Sequence, residues 1–402
     1  MTFKTLDDLP DDLTGKIVLV RADLNVPMHD GDVSDDTRLR AHLPTICELS
    51  DKGAKVLLLS HFRRPNGAPQ PAMSTALLVE PMRELTGRSV RYVEDCQGDE
   101  AARAVSIMLP GAIGILENTR FHKGETENDP ELAKAMAALG DYFVSDAFSV
   151  AHRAHASTVG IADHLPAYAG RAMEVELAAL EQALGDPERP VVAVVGGAKV
   201  STKLQVLEHL VEKVDHLIIG GGMANTFVAS RGVDVGKSLM EKDLIPDAEG
   251  IFDAALKADC TIHLPYDVVV AKEFAANPDS MRTCNVHEVG PDEMILDLGA
   301  SATEALADVL KTCRTLVWNG PLGAFETEPF DAATVALART AAALTKEGSL
   351  VSVAGGGDTV AALNQAGVAE DFTFVSTAGG AFLEWMEGRE LPGVSAIEKK
   401  DG

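Results

Sequence analysis

Val191-Val192-Ala193-Val194-Val195-Gly196-Gly197-Ala198-Lys199-Val200-Ser201-Thr202-Lys203 sets five apolar residues directly against a glycine pair, and an amphipathic stretch follows over 203–213. A run so short and so uniformly apolar reads as a strand buried on both faces. The glycines read as its turn, and the i, i+3, i+4 spacing beyond them as a helix laid over the sheet. The same unit recurs along the chain. Apolar runs at 18–20, 56–59, 113–116 and 143–144, and then at 217–219, 261–264, 268–271, 316–318, 350–353 and 372–375, alternate with helical spacing over 37–51, 76–86, 130–139, 302–310 and 332–344.

Strands alternating with helices define the expected class: α/β, with two doubly wound parallel-sheet (Rossmann-like) domains joined by a helical hinge. A chain of 402 residues exceeds the size at which one core stops growing, so two domains are expected. Residues 172–184 are strong helix formers, stopped by Gly185 and Pro187, and suit a connector. The expected boundaries are therefore a first domain over 1–171, an interdomain helix over 172–186 and a second domain over 187–390.

Charge narrows the partners. With 35 Lys plus Arg against 61 Asp plus Glu, the formal charge is 35 − 61 = −26, which argues against nucleic acid or an anionic membrane. No stretch approaches the roughly 20 apolar residues of a membrane span, and the N-terminus lacks a signal-peptide pattern, so a cytoplasmic protein is expected. Five cysteines, with no C-x-x-C pair, read as small apolar residues in a reducing compartment. The acidic surplus is spread along the whole chain, a pattern that points to adaptation to strong salt. At molar salt the Debye length falls to about 3 Å and screens such repulsion.

In open parallel sheets ligands sit beyond the carboxyl ends of the strands, so the polar breaks after the runs are the candidate site. Those of the first half carry Arg21, Asp23, Asn25, Arg38, His61, Arg63, Arg64, Arg120, His152, Arg153 and His155. A lone arginine is more often a surface ion pair. Arginine and histidine recurring at strand ends of an acidic chain, with 12 of 18 arginines at or before position 171, instead suit an anion with several charges.

Breaks in the second half differ in chemistry. Gly196 and Gly197 let backbone approach a ligand, and Lys199 and Lys203, four apart, would share a helix face. Gly355-Gly356-Gly357-Asp358-Thr359 puts an acid and a hydroxyl at a helix start, suited to phosphate oxygens and Mg²⁺. Ser376-Thr377-Ala378-Gly379-Gly380 offers a second helix start. Glu326, after Trp318-Asn319-Gly320-Pro321, could bond a ribose, whereas Gly220-Gly221-Gly222 reads equally well as tight packing. No dinucleotide fingerprint, nucleophile elbow, zinc motif or protein-kinase motif set is present. A cationic pocket and a phosphate-and-metal pocket, facing each other across a cleft, suit phosphoryl transfer.

Taken in order, these motifs resemble the phosphoglycerate kinase family from end to end. The match runs through R-A-D-L-N-V-P at 21–27, D-D-T-R at 35–38, H-F-R-R-P at 61–65, E-N-T-R-F-H-K-G-E at 117–125 and D-A-F-S-V-A-H-R-A-H-A-S at 146–157. It continues with G-G-A-K-V-S-T-K at 196–203, W-N-G-P-L-G-A-F-E at 318–326, G-G-G-D-T at 355–359 and Gly379-Gly380. The resemblance implies reversible transfer of the acyl phosphate of 1,3-bisphosphoglycerate to Mg-ADP, giving 3-phosphoglycerate and ATP, in glycolysis and gluconeogenesis.

By the same resemblance Asp23, Leu24, Asn25, Arg38, His61, Phe62, Arg63, Arg64, Arg120 and Arg153 would bind the glycerate substrate, with His61, Arg64, Arg120 and Arg153 on its remote phosphate. Arg38, Lys199, Gly357 and Gly380 would serve catalysis, Lys199 by balancing charge in the transition state. Lys203, Asn319, Glu326, Gly356, Gly357, Asp358 and Thr359 would hold nucleotide, with Asp358 anchoring Mg²⁺. The family's lobes close about a hinge, and its tail, here 391–402, folds back onto the first domain. A monomer is expected. Three positions depart from the family pattern: Arg63 where Gly is usual, Ala378 in place of a third Gly, and Thr119 where Val is common.

Two other classes compete. A nucleotide-dependent oxidoreductase needs the absent dinucleotide glycines, and a non-catalytic phosphosugar binder has no use for the lysine pair and Gly-Gly-Asp-Thr.

Overall fold

The computed structural model describes residues 3–398. Of these, residues 3–177 with 390–398 form one compact unit, and Ala178–Arg389 form the other.

In the first unit six parallel strands lie in the order Val90–Val93, Ile113–Leu116, Lys55–Leu59, Ile17–Arg21, Tyr142–Ser145 and Ala167–Ala169. Side chains alternate across a strand, so Val18 and Val20 join one buried cluster while Leu19 joins the other, and Val56 and Leu58 divide likewise from Leu57 and Leu59. Both sheet faces are covered, and this is why the runs are continuously apolar. The chain changes direction across the sheet between Ile17–Arg21 and Tyr142–Ser145, so Arg21, Asp23 and Asp146 leave at its switch point. Near the C-terminus the Gly393 N–H donates to the Ala151 carbonyl at 2.8 Å, and Phe3 forms a β-bridge with Glu398.

In the second unit the parallel order is Thr261–His263, His216–Ile219, Val191–Val195, Thr315–Asn319, Val351–Gly355 and Phe374–Ser376. Numbered within the sheet, this is the 3-2-1-4-5-6 order of dinucleotide-binding folds, with its switch point between Val191–Val195 and Thr315–Asn319. Residues 268–271, expected in a parallel sheet, instead belong to Asp267–Ala271, the central strand of a separate antiparallel sheet flanked by Arg282–Asn285 and Met294–Leu298.

Several helical expectations change in detail, and 76–86 divides into a 3-10 turn, Thr75–Leu78, and the helix Val79–Thr86. The stretch 37–51 forms two helices, Thr37–Ala41 and Leu43–Asp51, broken at His42. The connector runs as Arg171–Leu180 and continues in a π-helical turn, Glu181–Gly185, and the division between compact units falls inside it. No helix among the described residues is long and apolar enough to cross a membrane. All five cysteines are free; four are buried and Cys47 is half-buried.

Candidate active site

Arg21 ends its strand almost fully buried, at 1% exposure. Its Nε donates to Ser157 Oγ at 2.9 Å, and one NH₂ group lies 3.2 Å from His61 Nδ1. Ser157 Oγ in turn donates at 2.5 Å to Glu125, a wholly buried carboxylate. Next along the chain, Asp23 accepts from the Ser149 hydroxyl at 2.6 Å and faces Arg38 at 3.3 Å. Arg38 also donates to the Asn25 carbonyl at 2.9 Å, and Asn25 Oδ1 accepts the Arg63 N–H at 2.7 Å. Arg120 reaches the Arg63 carbonyl at 3.4 Å. These bonds bring Asp23, Asn25, Arg38, Arg63 and Arg120 into one patch.

Beside that patch a cavity of about 530 Å³ is lined by Arg64, Arg120, His122, Lys123, Arg153 and His155, among others. Burial pushes His61 well below its usual value, with the Arg21 charge adding to it. Burial likewise takes His155 down to about 4 against the pull of Glu125, with the charges of Arg21, Arg120 and Arg153 adding to the lowering. Arg120 is lowered by burial and then by Arg153 and Arg21, and its half-buried side chain keeps an Nε without a hydrogen-bond partner. Burial works against the Asp23 carboxylate too, and His61, Arg38, the Ser149 hydroxyl and Arg21 oppose it. Cations that disfavour one another in a partly buried cavity form a receptor for an anion.

Arg63 carries a φ of 56°, the left-handed region, and its guanidinium lies over the Phe62 ring at 5.6 Å. Glycine would adopt that backbone freely, so the departure at this position is a tolerated strain. Ala378, at φ −91°, occupies ordinary backbone and has no need of glycine.

The second unit places Lys203 Nζ at the sheet's switch point, donating to the Gly196 carbonyl at 2.6 Å and the Asn319 carbonyl at 2.9 Å. Burial lowers its pKa to about 8 against the opposing pull of Asp358. Lys199 is exposed and extended ahead of the turn Val200–Thr202, while Lys203 stands after it, so the two do not share a regular helix face as their spacing implied. At Gly196 a Cβ would lie 1.9 Å from the Pro321 carbonyl oxygen, which explains the glycine by close approach. Asn319 Nδ2 donates to the Gly355 carbonyl at 2.7 Å, leaving a buried Oδ1 unpartnered, and Thr359 Oγ1 accepts the Gly320 N–H at 2.7 Å. Gly356, at φ +100°, turns the chain into helix Gly357–Ala366, and Gly379, which opens helix Gly379–Met386, lies beside Gly357. Two helix N-termini thus present their N–H groups to the same place, with Asp358 exposed at one of them.

Next to these turns lies a mainly apolar cavity of about 360 Å³, whose walls include Gly197, Gly222, Leu239, Phe274, Leu322 and Glu326. Sequence reasoning missed the wall contributed by Met294–Leu298, because the antiparallel sheet gave no recognisable alternation. It also missed Asp297, which burial pushes up to about 7 although it accepts the N–H groups of Ala333 and Leu298. Glu125 and His122 stood inside a quoted motif without a role. Among the described residues one group of three metal-ligand side chains lies together, Asp95, Cys96 and His122 of the first unit, and Asp358 is not part of it. A cation at Asp358 would therefore take most of its ligands from a bound phosphate chain, the habit of Mg²⁺.

An arginine-lined receptor on one sheet, and on the other an apolar cavity bordered by a half-buried lysine and paired helix starts, define a kinase acting on a small anionic acid. The sequence profile of phosphoglycerate kinase matches residues 6–389. The phosphoglycerate kinase of Novosphingobium aromaticivorans is 72% identical over 398 residues, covering 99% of this chain and 100% of the relative. Among solved structures, phosphoglycerate kinase from Coxiella burnetii superposes with a TM-score of 0.92 at 41% identity, covering 98% of each chain. That from Pyrococcus horikoshii gives 0.79 at 32% identity, also over 98% of each chain. The chain belongs to the phosphoglycerate kinase family and is a phosphotransferase with a carboxyl group as acceptor. The expected salt-loving origin finds no support among these relatives.

Proposed function

We propose that the first unit binds 3-phosphoglycerate or 1,3-bisphosphoglycerate and the second binds Mg-ATP or Mg-ADP, for reversible transfer of the acyl phosphate in glycolysis and gluconeogenesis. The observation that carries this reading is the set of mutually opposed cations around the first cavity, Arg120 with its unpartnered nitrogen above all. A remote phosphate at Arg64, Arg120 and Arg153 relieves that opposition. Asp23 and Asn25 then take the hydroxyl and carboxylate end, and Arg38, already bonded at Asn25 and Asp23, reaches the transferring group.

On the nucleotide side Lys203 and the helix starts at Gly357 and Gly379 hold phosphates, Asn319 Oδ1 lines their path, and Glu326 takes the ribose. Lys199, exposed ahead of the turn Val200–Thr202, follows the charge of the transferring phosphoryl group. In the forward reaction the bond from phosphorus to the acyl oxygen breaks as one forms to the terminal oxygen of ADP, and the carboxylate leaves with its electron pair. Mg²⁺ at Asp358 supplies charge neutralisation of the phosphate chain. The enzyme is read as a cytoplasmic monomer of two domains. Salt adaptation rests on the net charge alone, and a melting temperature that does not rise between low and molar KCl removes it.

An assay coupling 3-phosphoglycerate and Mg-ATP to NADH oxidation tests the assignment, and absence of turnover would sink it. Arg38→Ala should lower kcat by about 100-fold, the range for loss of one charge-stabilising donor, with an unchanged melting temperature. An unaltered kcat removes Arg38 from the reacting group.

A further inference from the structure

Resting on the reading that Asp23 and Asn25 hold the glycerate end, we propose that His42 is a positioning residue that fixes the Asp23 main chain for substrate. Asp23 lies two residues beyond the end of its strand Ile17–Arg21, so its N–H has no ladder partner, yet the residue is buried at 5% exposure. That N–H donates to His42 Nε2 at 2.9 Å. A backbone N–H can only donate, so Nε2 is the acceptor and Nδ1 carries the proton. Nδ1 accordingly donates to Asp146 Oδ2 at 2.7 Å.

The other Asp146 oxygen accepts the Thr45 hydroxyl at 2.9 Å and the Ala172 N–H at 2.9 Å, and Thr45 Oγ1 accepts the Arg171 N–H at 2.7 Å. His42, Thr45 and Asp146 are exposed by 4%, 0% and 1%. The acid-binding loop and the first turn of helix Arg171–Leu180 thus share one buried carboxylate, and His42 carries the link to the Asp23 N–H. Such a relay determines the imidazole tautomer and ring orientation. The helical pattern over 37–51 breaks at position 42 because Pro44, in the first turn of Leu43–Asp51, has no N–H to donate back to the Arg40 carbonyl.

Two near-isosteric variants separate positioning from simple packing. His42→Gln carries a carbonyl at the reach of Nε2 and keeps an acceptor for Asp23, whereas His42→Asn reaches Asp146 and abandons the Asp23 N–H. His42→Asn should raise the KM for 3-phosphoglycerate roughly tenfold, the consequence of one unsatisfied buried donor. The KM for ATP should stay within about twofold, and His42→Gln should restore most of the loss. Equal effects of the two variants, or an equal rise in both KM values, overturn the proposal.

Should either variant fail to fold, long-range ¹H–¹⁵N spectra of the unaltered protein decide it. His42 must show protonated Nδ1 and bare Nε2, and the opposite tautomer overturns the proposal. Asp23→Ala tests the underlying reading separately: if it leaves 3-phosphoglycerate binding intact, Asp23 is not a substrate ligand, whatever His42 does.

Discussion

Replacing Lys203 with methionine should remove activity and at the same time change how the second unit responds to pH. The amine stands at the sheet's switch point among main-chain carbonyls, and burial takes its pKa from the ordinary 10.5 to about 8. Each pH unit between the two is worth about 1.36 kcal/mol, so holding the charge in the folded state costs on the order of 3 kcal/mol. Below pH 8 both folded and unfolded chains carry the proton and the full penalty is present. Between pH 8 and 10.5 the folded state has released it while the unfolded chain still binds it, so stability rises with pH. From pH 7 to 9.5 the wild type should therefore gain about 2 kcal/mol relative to Lys203→Met, whatever the variant's stability at pH 7.

Both tryptophans, Trp318 and Trp385, lie in the second unit, so fluorescence-monitored guanidinium unfolding reads that unit. A difference between wild type and variant that stays constant from pH 7 to 9.5 would refute the half-buried, desolvated amine. It would leave the lysine an ordinary solvated cation. Nucleotide phosphates should reverse the strain, and calorimetry at pH 9 in two buffers of unlike ionisation enthalpy should then register proton uptake on ATP binding.

Two further outcomes follow from the first unit. His155, depressed to about 4, confers stability that is present above its unfolded value near 6.5 and is lost as pH falls toward 4. Its ring resonances should titrate near 4 in the free enzyme and higher with 3-phosphoglycerate bound; a midpoint above 6 without ligand contradicts the burial argument. At position 63 the left-handed backbone makes the side chain's shape decisive. Arg63→Gly should keep stability within about 1 kcal/mol, because relief of strain offsets added chain entropy. Arg63→Val should lose about 2 kcal/mol by the steric clash of a branched Cβ, and equal urea midpoints for the two variants would show that the turn is unstrained.

What was legible in the sequence follows from where each element sits. The central strands of both sheets are covered on two faces and so carry uninterrupted apolar runs. Val90–Val93 lies at a sheet edge and mixes an exposed Arg91 into its run, and Arg282–Asn285 buries only Cys284, so neither stands out by pattern. Residues 268–271 were recognisable as a strand, but periodicity describes a strand's faces and says nothing of its neighbours. Their placement in an antiparallel sheet depended on partners that were themselves illegible.

The site divides along the same line. Arginines, lysines and glycines at strand ends could be collected from the sequence because a parallel sheet gathers its strand ends on one edge. Which of them share hydrogen bonds depends on side chains arriving from distant segments. Glu125 reaches Arg21 through Ser157, and Asp146 reaches Asp23 through His42, each across more than 100 residues from its partner. No local spacing encodes such a meeting. Arg64, Arg120 and Arg153, named from the sequence, line the first cavity, and the buried acids and hydroxyls that orient their neighbours became visible only when the sheet had brought them together.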